Sequence, residues 1–382
     1  MKKTKSNLSK IRLLLLTIFI LLLFGCYNKI DEITNQNYLG TDLEGKGYTI
    51  FVLDETAKSI AKINIEKGEV VDPFIELVKP ASAIVVSGNY IYTTDAATGL
   101  VQKISIIGKT IYTYQISLGS DGVSLYDFVA DKNFGYITNP VVHKLYRIDL
   151  FNFANEAKVE NALLKFVEPA DYQPRFLEVL GDTLYIVSNS GGAAKWVNKI
   201  GISSFDKFAN GDYISTSEMY SKFSIMPDST QVGNIIGMTK SESDDRLYFV
   251  SSDGGTKRII YTRRGAEKSE GALSFSPNGD LSNLIYSGGK LFLDRVRTDS
   301  GLYVCELTSL GVPKTPTLNK TAFSYVVSAI GANDDFLAVA RKKEGAETKG
   351  RLFVYRTSGF EAVSDTVFSA PVGDIPTSID FW

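Results

Sequence analysis

The chain has 382 residues, with 41 Lys and Arg against 43 Asp and Glu, so its formal net charge is −2. This balance lacks the strong positive charge of a general nucleic-acid binder, and we expect no nucleic-acid partner. Two cysteines and one histidine exclude a disulfide-rich scaffold and metal sites built from several histidines or thiolates.

The first 25 residues have the order of a bacterial export signal. Five basic residues and no acidic residue precede Cys26, and residues 13–24 form an apolar core of about twelve residues. A membrane-spanning helix needs roughly 20 apolar residues, so this shorter core predicts a signal peptide over residues 1–25. Removing the signal would bring the formal charge of the remaining chain near −7.

The signal segment ends in Leu23-Phe24-Gly25-Cys26, which resembles a bacterial lipobox. The resemblance implies that Cys26 is lipidated and becomes the mature N-terminus, and Tyr27 in place of Asp favours the outer membrane. An uncleaved anchor, or a plain secretory signal with a chance cysteine, is the alternative. Residues 26–46 then comprise the lipidated cysteine and a polar, flexible tether. We therefore expect attachment to the outer membrane of a bacterial envelope through the lipid.

From residue 47 onwards the sequence repeats one unit about 40–50 residues long. Residues 80–116 show the unit most clearly, as four short apolar runs joined by tight turns. The motif of the second run, a polar or glycine turn followed by an apolar strand, recurs along the chain. Its copies lie at residues 48–52, 90–92, 134–137, 184–187, 247–250, 291–293 and 336–339.

The ends of the repeat region predict a closed ring. The first copy lacks its first strand, and residues 375–382 match residues 80–85, the first strand of the second copy. Units of this length are typical of four-stranded propeller blades. The sequence therefore predicts an all-β domain over residues 47–382, a seven-bladed β-propeller whose first blade is closed by the C-terminal strand. An open sandwich or solenoid with a stray terminal strand is the alternative.

The blade motifs resemble those of seven-bladed propellers of the YVTN/surface-layer type, which are often found in bacterial lipoproteins. WD, Kelch and quinoprotein tryptophan signatures are absent from the sequence. The resemblance implies a fold and no activity, because one fold hosts many functions.

No residue pattern identifies a catalytic or metal site, and no cofactor can be named. His143 would have to serve any Ser-His-Asp mechanism, yet no Gly-x-Ser-x-Gly motif is present. The pairs Asp244-Asp245 and Asp334-Asp335 occupy the turn position that Gly-Asn or Gly-Gly fills in other copies, so we interpret them as turns. A divalent cation held by carboxylates in the central channel remains an alternative.

The loops between second and third strands carry positive charge in the last four copies. The candidate ligand-binding residues there are Lys195, Trp196, Lys257, Arg258, Arg295, Arg297, Arg341 and Lys342. In a propeller these loops share one face, so we expect a cationic half-face. Lys, Arg and glycine amides suit an anionic ligand. Solvated hairpins whose glycines only supply positive φ are the alternative.

The absence of a catalytic constellation favours a non-enzymatic binding module. We expect an envelope-anchored lipoprotein that binds a small anionic molecule or an outer-membrane protein. One alternative is a lactonase-like or lyase-like propeller enzyme with a metal in its channel. The other is a scaffold in envelope assembly.

Overall fold

The computed structural model describes thirteen ranges within the compact unit Gly47–Trp382. They are residues 47–116, 125–131, 134–150, 160–165, 173–189, 196–202, 221–226, 233–253, 255–277, 279–295, 300–320, 323–357 and 366–382. The predicted signal peptide over residues 1–25, the lipidation site Cys26 and the tether to residue 46 lie outside these ranges. Within the described ranges, no helix has the length and apolar character needed to cross a membrane.

The described residues form seven four-stranded antiparallel sheets, numbered here as blades 1–7. Blade 1 contains β1 (Thr49–Asp54), β2 (Ser59–Asn64) and β3 (Glu69–Glu76), with β28 (Pro376–Phe381) as its first strand. Blade 2 contains β4 (Ala83–Ser87), β5 (Tyr90–Thr94), β6 (Leu100–Ser105) and β7 (Ile111–Gln115). Blade 3 contains β8 (Phe128–Ala130), β9 (Phe134–Asn139), β10 (Lys144–Asp149) and β11 (Glu160–Lys165).

The remaining four blades follow the same order. Blade 4 contains β12 (Gln173–Leu180), β13 (Thr183–Asn189), β14 (Trp196–Gly201) and β15 (Ser221–Ser224). Blade 5 contains β16 (Asn234–Ser241), β17 (Arg246–Asp253), β18 (Thr256–Arg263) and β19 (Gly271–Phe275). Blade 6 contains β20 (Leu281–Ser287), β21 (Lys290–Arg295), β22 (Leu302–Glu306) and β23 (Thr317–Asn319). Blade 7 contains β24 (Ala329–Ala332), β25 (Phe336–Arg341), β26 (Gly350–Arg356) and β27 (Thr366–Val372).

The first strands of the blades form a closed ring. Each first strand contacts the first strand of the next blade, in the order β4, β8, β12, β16, β20 and β24, and β24 then contacts β28, which contacts β4. The C-terminal strand β28 pairs with β1 from Ile50 opposite Phe381 to Asp54 opposite Pro376. The predicted seven-bladed propeller, with its first blade closed by the C-terminal strand, is confirmed.

Side chains satisfy part of the free inner edge of this ring. The inner edge of each first strand has backbone N–H groups that no fifth strand can bind. The Asp380 carboxylate on β28 accepts the Val86 N–H of β4 at 2.6 Å, and the Asp127 carboxylate accepts the Leu177 N–H of β12 at 2.7 Å. Hydrogen bonds from one blade to the next therefore supplement the apolar packing between their faces.

The core repeats one aromatic position around most of the ring. The third residue of the second strand is a buried aromatic in six blades: Phe51, Tyr92, Tyr136, Tyr185, Tyr248 and Phe292. In blades 1–4 its cross-strand partner on the third strand is basic: Lys62, Lys103, Arg147 and Lys199. Lys103 donates to the Leu150 carbonyl of the next blade at 2.6 Å, and burial lowers its pKa to about 8. Lys199 likewise donates to the Ala266 carbonyl of the next blade at 3.0 Å, so two of these side chains tie neighbouring blades together.

Truncation after Gly373 tests the closure. Removing β28 exposes the edge of β1 and the faces of blades 2 and 7, so we expect loss of the cooperative thermal transition of the whole domain. Ile379→Ala, which removes one buried side chain of β28, is expected to lower the free energy of unfolding by about 2–4 kcal/mol. The matched control Thr377→Ala, on the same strand but partly exposed, should change it by less than about 1 kcal/mol. A truncated chain that melts like the native one would contradict ring closure.

Candidate functional site

The propeller has two faces that differ in their loops. The loops between second and third strands form one face together with the connections between blades, and it is called the upper face below. The lower face carries the turns between first and second strands and between third and fourth strands.

The eight predicted ligand residues do not all fall in the described ranges. Lys195 and Arg297 lie outside them, and so does the side chain of Trp196, whose backbone begins β14. Lys342 is exposed in the loop that follows β25.

Lys257 and Arg258, at the start of β18, already have acidic partners. The Lys257 side chain is only 4% exposed, and its ammonium lies 3.3 Å from Asp280 in the connection between blades 5 and 6. It also donates to the Ser252 hydroxyl at 2.5 Å. The Arg258 guanidinium lies 3.6 Å from Asp253 on the preceding strand. Both cations therefore stabilise the upper face of blade 5.

Arg295 and Arg341 close second strands and organise the loops that follow them. Buried Arg295 donates to the Ser300 carbonyl at 2.8 Å. Arg341 binds Glu347 in a bidentate pair, with distances of 2.5 and 2.6 Å. This hydrogen bonding lowers the pKa of Glu347 to about 2.

In blades 1 and 2, acidic residues at the end of the second strand accept hydrogen bonds from backbone N–H groups of nearby loops. The Asp54 carboxylate accepts the Ala57 N–H at 3.0 Å and the Asp374 N–H, and Asp95 accepts the Ala97 N–H at 3.0 Å. Lys257, Arg258, Arg295, Arg341, Asp54 and Asp95 therefore serve as loop caps or ion-pair partners. The anion site predicted there stays a prediction.

Substitution of Lys257 separates a structural from a ligand-binding role. Lys257→Ala removes the ion pair with exposed Asp280 and the hydrogen bond to Ser252, so we expect the free energy of unfolding to fall by about 1–3 kcal/mol in urea titrations. Lys342→Ala, on the same face but exposed, should leave it within about 0.5 kcal/mol. If Lys257→Ala and Lys342→Ala both left the free energy of unfolding unchanged, the Lys257 contacts would contribute nothing to stability.

The two Asp-Asp pairs lie in turns, as expected from the sequence. Asp244-Asp245 and Asp334-Asp335 lie in the connections between first and second strands, which confirms the turn interpretation. Asp245 has a φ of 53°, a conformation that Asp tolerates in turns. His143 has a φ of 56° in the loop before β10.

Carboxylates also gather along the first strands of blades 3–5. Glu178 on β12 lies 3.9 Å from the Lys240 ammonium on β16, which is 3.0 Å from Glu242 and donates to the Val179 carbonyl at 2.5 Å. Burial raises the pKa of Glu178 to about 8, and nearby Asp127 adds to the rise. Among the described residues, no group of three or more Asp, Glu, His or Cys side chains has a geometry for a metal ion.

Glu178 should make stability depend on pH. An unfolded Glu ionises near 4.5, whereas the folded side chain keeps its proton to about pH 8. The free energy of unfolding should therefore fall as pH rises from 4.5 to 8, by at most about 1.4 kcal/mol per pH unit from this group. Glu178→Gln should remove that fall. The free energy of unfolding of the variant, relative to that of the native protein, should therefore rise up to pH 8 and stay constant above it. Urea titrations across this range check it.

The control for this experiment is Glu242→Gln. Glu242 belongs to the same cluster, but its side chain is 58% exposed, so we expect a smaller pH-dependent difference. Parallel pH profiles for the native protein and the Glu178 variant would contradict the raised pKa.

A groove of about 450 Å³ opens on the lower face where blades 5 and 6 meet. The turn before β17 contributes Asp244, and blade 6 contributes the rest of the lining. The lining side chains with chemical function or apolar surface are Asp244, Tyr286, Lys290, Glu306, Leu307 and Ser309. The volume falls in the range of small-molecule sites.

Turns hold the groove in shape. Gly288 and Gly289 both have positive φ, 53° and 76°, as a two-residue hairpin turn requires. A Cβ at Gly288 would lie 2.7 Å from the Thr357 hydroxyl of blade 7, so a larger residue would also clash. On the other side, the Tyr248 hydroxyl of blade 5 donates to the Gly311 carbonyl at 3.0 Å and fastens the loop after β22.

The charged groups of the groove are fixed by neighbours. The Lys290 side chain is nearly buried and its ammonium donates to the Thr357 carbonyl at 3.3 Å; burial lowers its pKa. Glu306 pairs with Lys314 at 2.9 Å, and the hydrogen bond from Lys314 lowers the pKa of Glu306. On the blade 5 side, the Asp244 carboxylate accepts the Ser241 hydroxyl at 2.9 Å.

The sequence did not single out this groove. Asp244 was recognised only as a turn residue, and Lys290 and Glu306 stand on different strands, 16 positions apart. Their meeting depends on the pairing of Lys290 with Glu306 across β21 and β22, and on the side-by-side packing of blades 5 and 6. The one signal in the sequence was that Asp244, Lys290 and Glu306 each lie in or beside a turn of the lower face.

No protein-family model matches the sequence, and a comparison with curated proteins finds no match. Solved structures are similar in fold. A quinonprotein alcohol dehydrogenase-like protein from Bacteroides thetaiotaomicron VPI-5482 has a TM-score of 0.57 and 15% identity, over 88% of this chain and 78% of that chain. A putative 6-phosphogluconolactonase from Bacteroides fragilis NCTC 9343 has a TM-score of 0.57 and 13% identity, over 87% and 97%.

A functionally unknown protein from Desulfotomaculum acetoxidans DSM 771 gives a TM-score of 0.53 at 13% identity, over 85% of this chain and 99% of that chain. At such identities the similarity extends to the fold alone. The fold is a seven-bladed β-propeller.

Proposed function

We propose that this chain is a lipid-anchored binding protein of the bacterial envelope, and that the groove between blades 5 and 6 binds its ligand without chemical change. The proposal joins two parts, an anchor at Cys26 and a non-catalytic site on the lower face of the propeller.

The pKa of the Glu306 carboxyl supports the proposal that the groove binds its ligand without chemical change. A general acid needs a carboxyl whose pKa is raised towards neutrality. Lys314 does the opposite and lowers the pKa of Glu306, so this side chain stays an anion at neutral pH. Across the groove, Asp244 accepts hydrogen bonds from the Ser241 and Tyr286 hydroxyls, at 2.9 and 3.4 Å. Both carboxylates can accept hydrogen bonds from a ligand, and Glu306 lacks the raised pKa of a general acid.

The order of residues 1–26 supports the anchor. A basic segment, a short apolar core and Gly25-Cys26 follow one another as in a bacterial lipobox, and residue 27 is Tyr in place of Asp. A lipidated cysteine followed by a polar tether would hold the propeller beside the outer membrane. The lactonase description of one structural neighbour does not transfer at 13% identity, so it adds no catalytic role.

Lipidation is testable because the chain has only two cysteines. We expect the full chain, made in a bacterium that processes lipoproteins, to sediment with membranes and to carry acyl chains. Cys26→Ser should release the protein into the soluble fraction without acyl chains. Cys305→Ser, the matched control in buried β22, should stay membrane-bound. Membrane retention and acylation of the Cys26 variant would overturn the anchor.

Native mass spectrometry of protein purified from its own host tests the binding part. We expect a bound small molecule that is released unaltered by denaturation. Release of a chemically altered form of an added compound, with turnover, would instead establish an enzyme.

A further inference from the structure

We infer that the groove between blades 5 and 6 takes a neutral, hydroxyl-rich ligand, a saccharide. This inference depends on the residues that line the groove. They include two carboxylates, one nearly buried lysine and two residues with apolar surface: Asp244, Glu306, Lys290, Tyr286 and Leu307. The inference rests on the proposed function, because it names the ligand class of the same site.

Size sets the first limit. The groove measures about 450 Å³, which accommodates one or two sugar rings. It is bounded by the Gly288-Gly289 turn on one side and by the loop after β22 on the other. That loop is closed by backbone hydrogen bonds from Thr308 to Val312 and from Gly311 to Thr308, both 2.9 Å long. A preformed site of this kind loses little conformational freedom on binding.

Charge sets the second limit. Asp244 and Glu306 place two anions on the wall, against the single cation of Lys290. An anionic ligand would meet two like charges on the wall, which is unfavourable. A cationic ligand would find Glu306 already paired with Lys314. Charged ligands of either sign are therefore disfavoured.

Apolar content sets the third limit. Leu307 and Tyr286 supply the apolar part of the wall, and Tyr286 is itself held by hydrogen bonds between its hydroxyl and Ser243 and Asp244. A purely apolar ligand would displace water from the carboxylates without replacing the hydrogen bonds that this water donates. Such a loss of hydrogen bonds is unfavourable, above all for charged groups.

A saccharide meets all three conditions. Each hydroxyl donates one hydrogen bond and accepts others, so neighbouring hydroxyls match the carboxylate acceptors and the Lys290 and Ser309 donors of the wall. Hydrogen bonds to the ionised Asp244 and Glu306 are the stronger kind. The C–H surface of a sugar ring can pack on Tyr286 and Leu307.

Titration calorimetry with a panel of neutral di- and trisaccharides tests the inference on the intact propeller, residues 27–382. We expect at least one of them to bind, with affinity reduced tenfold or more by Glu306→Gln and by Asp244→Asn. The matched control is Asp334→Asn, in the equivalent connection of blade 7, which does not line the groove. It should bind the same sugar with unchanged affinity, and thermal melting should show that all variants remain folded.

Two parallel probes distinguish the failures. If a sugar acid or a diamine binds, its affinity falls in the Glu306 and Asp244 variants and no neutral sugar binds, the saccharide assignment is overturned while the binding function stands. If no probe binds and protein from the host carries no small molecule, the groove is not a ligand site and the proposed function fails with it.

Discussion

The pairing of β28 with β1 is the contact on which the rest of the structure depends. A four-stranded blade has two free edges, and a row of blades would end in two exposed faces. The C-terminal strand completes blade 1 and brings it against blades 2 and 7, so every blade has two neighbours. Carboxylates then satisfy some inner-edge amides that the ring leaves unpaired: the Asp380 carboxylate, for example, accepts the Val86 N–H.

Closure of the ring also explains why polar and charged side chains are concentrated in the loops and at the strand ends. A blade packs both faces against neighbours, so its strands are occupied by the core and chemical variety is left to the ends. On the upper face, the described charges are largely committed to capping and ion pairs, as for Lys257 with Asp280 and Arg341 with Glu347. On the lower face, a concavity remains where blades 5 and 6 meet, and Asp244, Lys290 and Glu306 are among its lining residues.

The sequence predicted the fold more completely than the site. The regular second-strand motif and the match between the two ends were local signals, and both followed directly from blade geometry. Positive charge at Lys257 and Arg341 was equally visible, but its neutralisation by Asp280 and Glu347 depends on loop conformation. Asp244 and Glu306 meet only because two blades pack side by side, and no spacing along the chain encodes that contact.

The double pairing of β1 has a mechanical consequence. The strand is hydrogen-bonded along one edge to β2 and along the other to β28, and the Gly47 N–H donates to the Trp382 carbonyl at its start. A load entering the propeller at Gly47 and directed along β1 would strain both ladders in shear. Their bonds would share the force and have to rupture together, instead of opening one at a time from an end. The propeller thus resists force in shear at the strand on which an N-terminal attachment would pull.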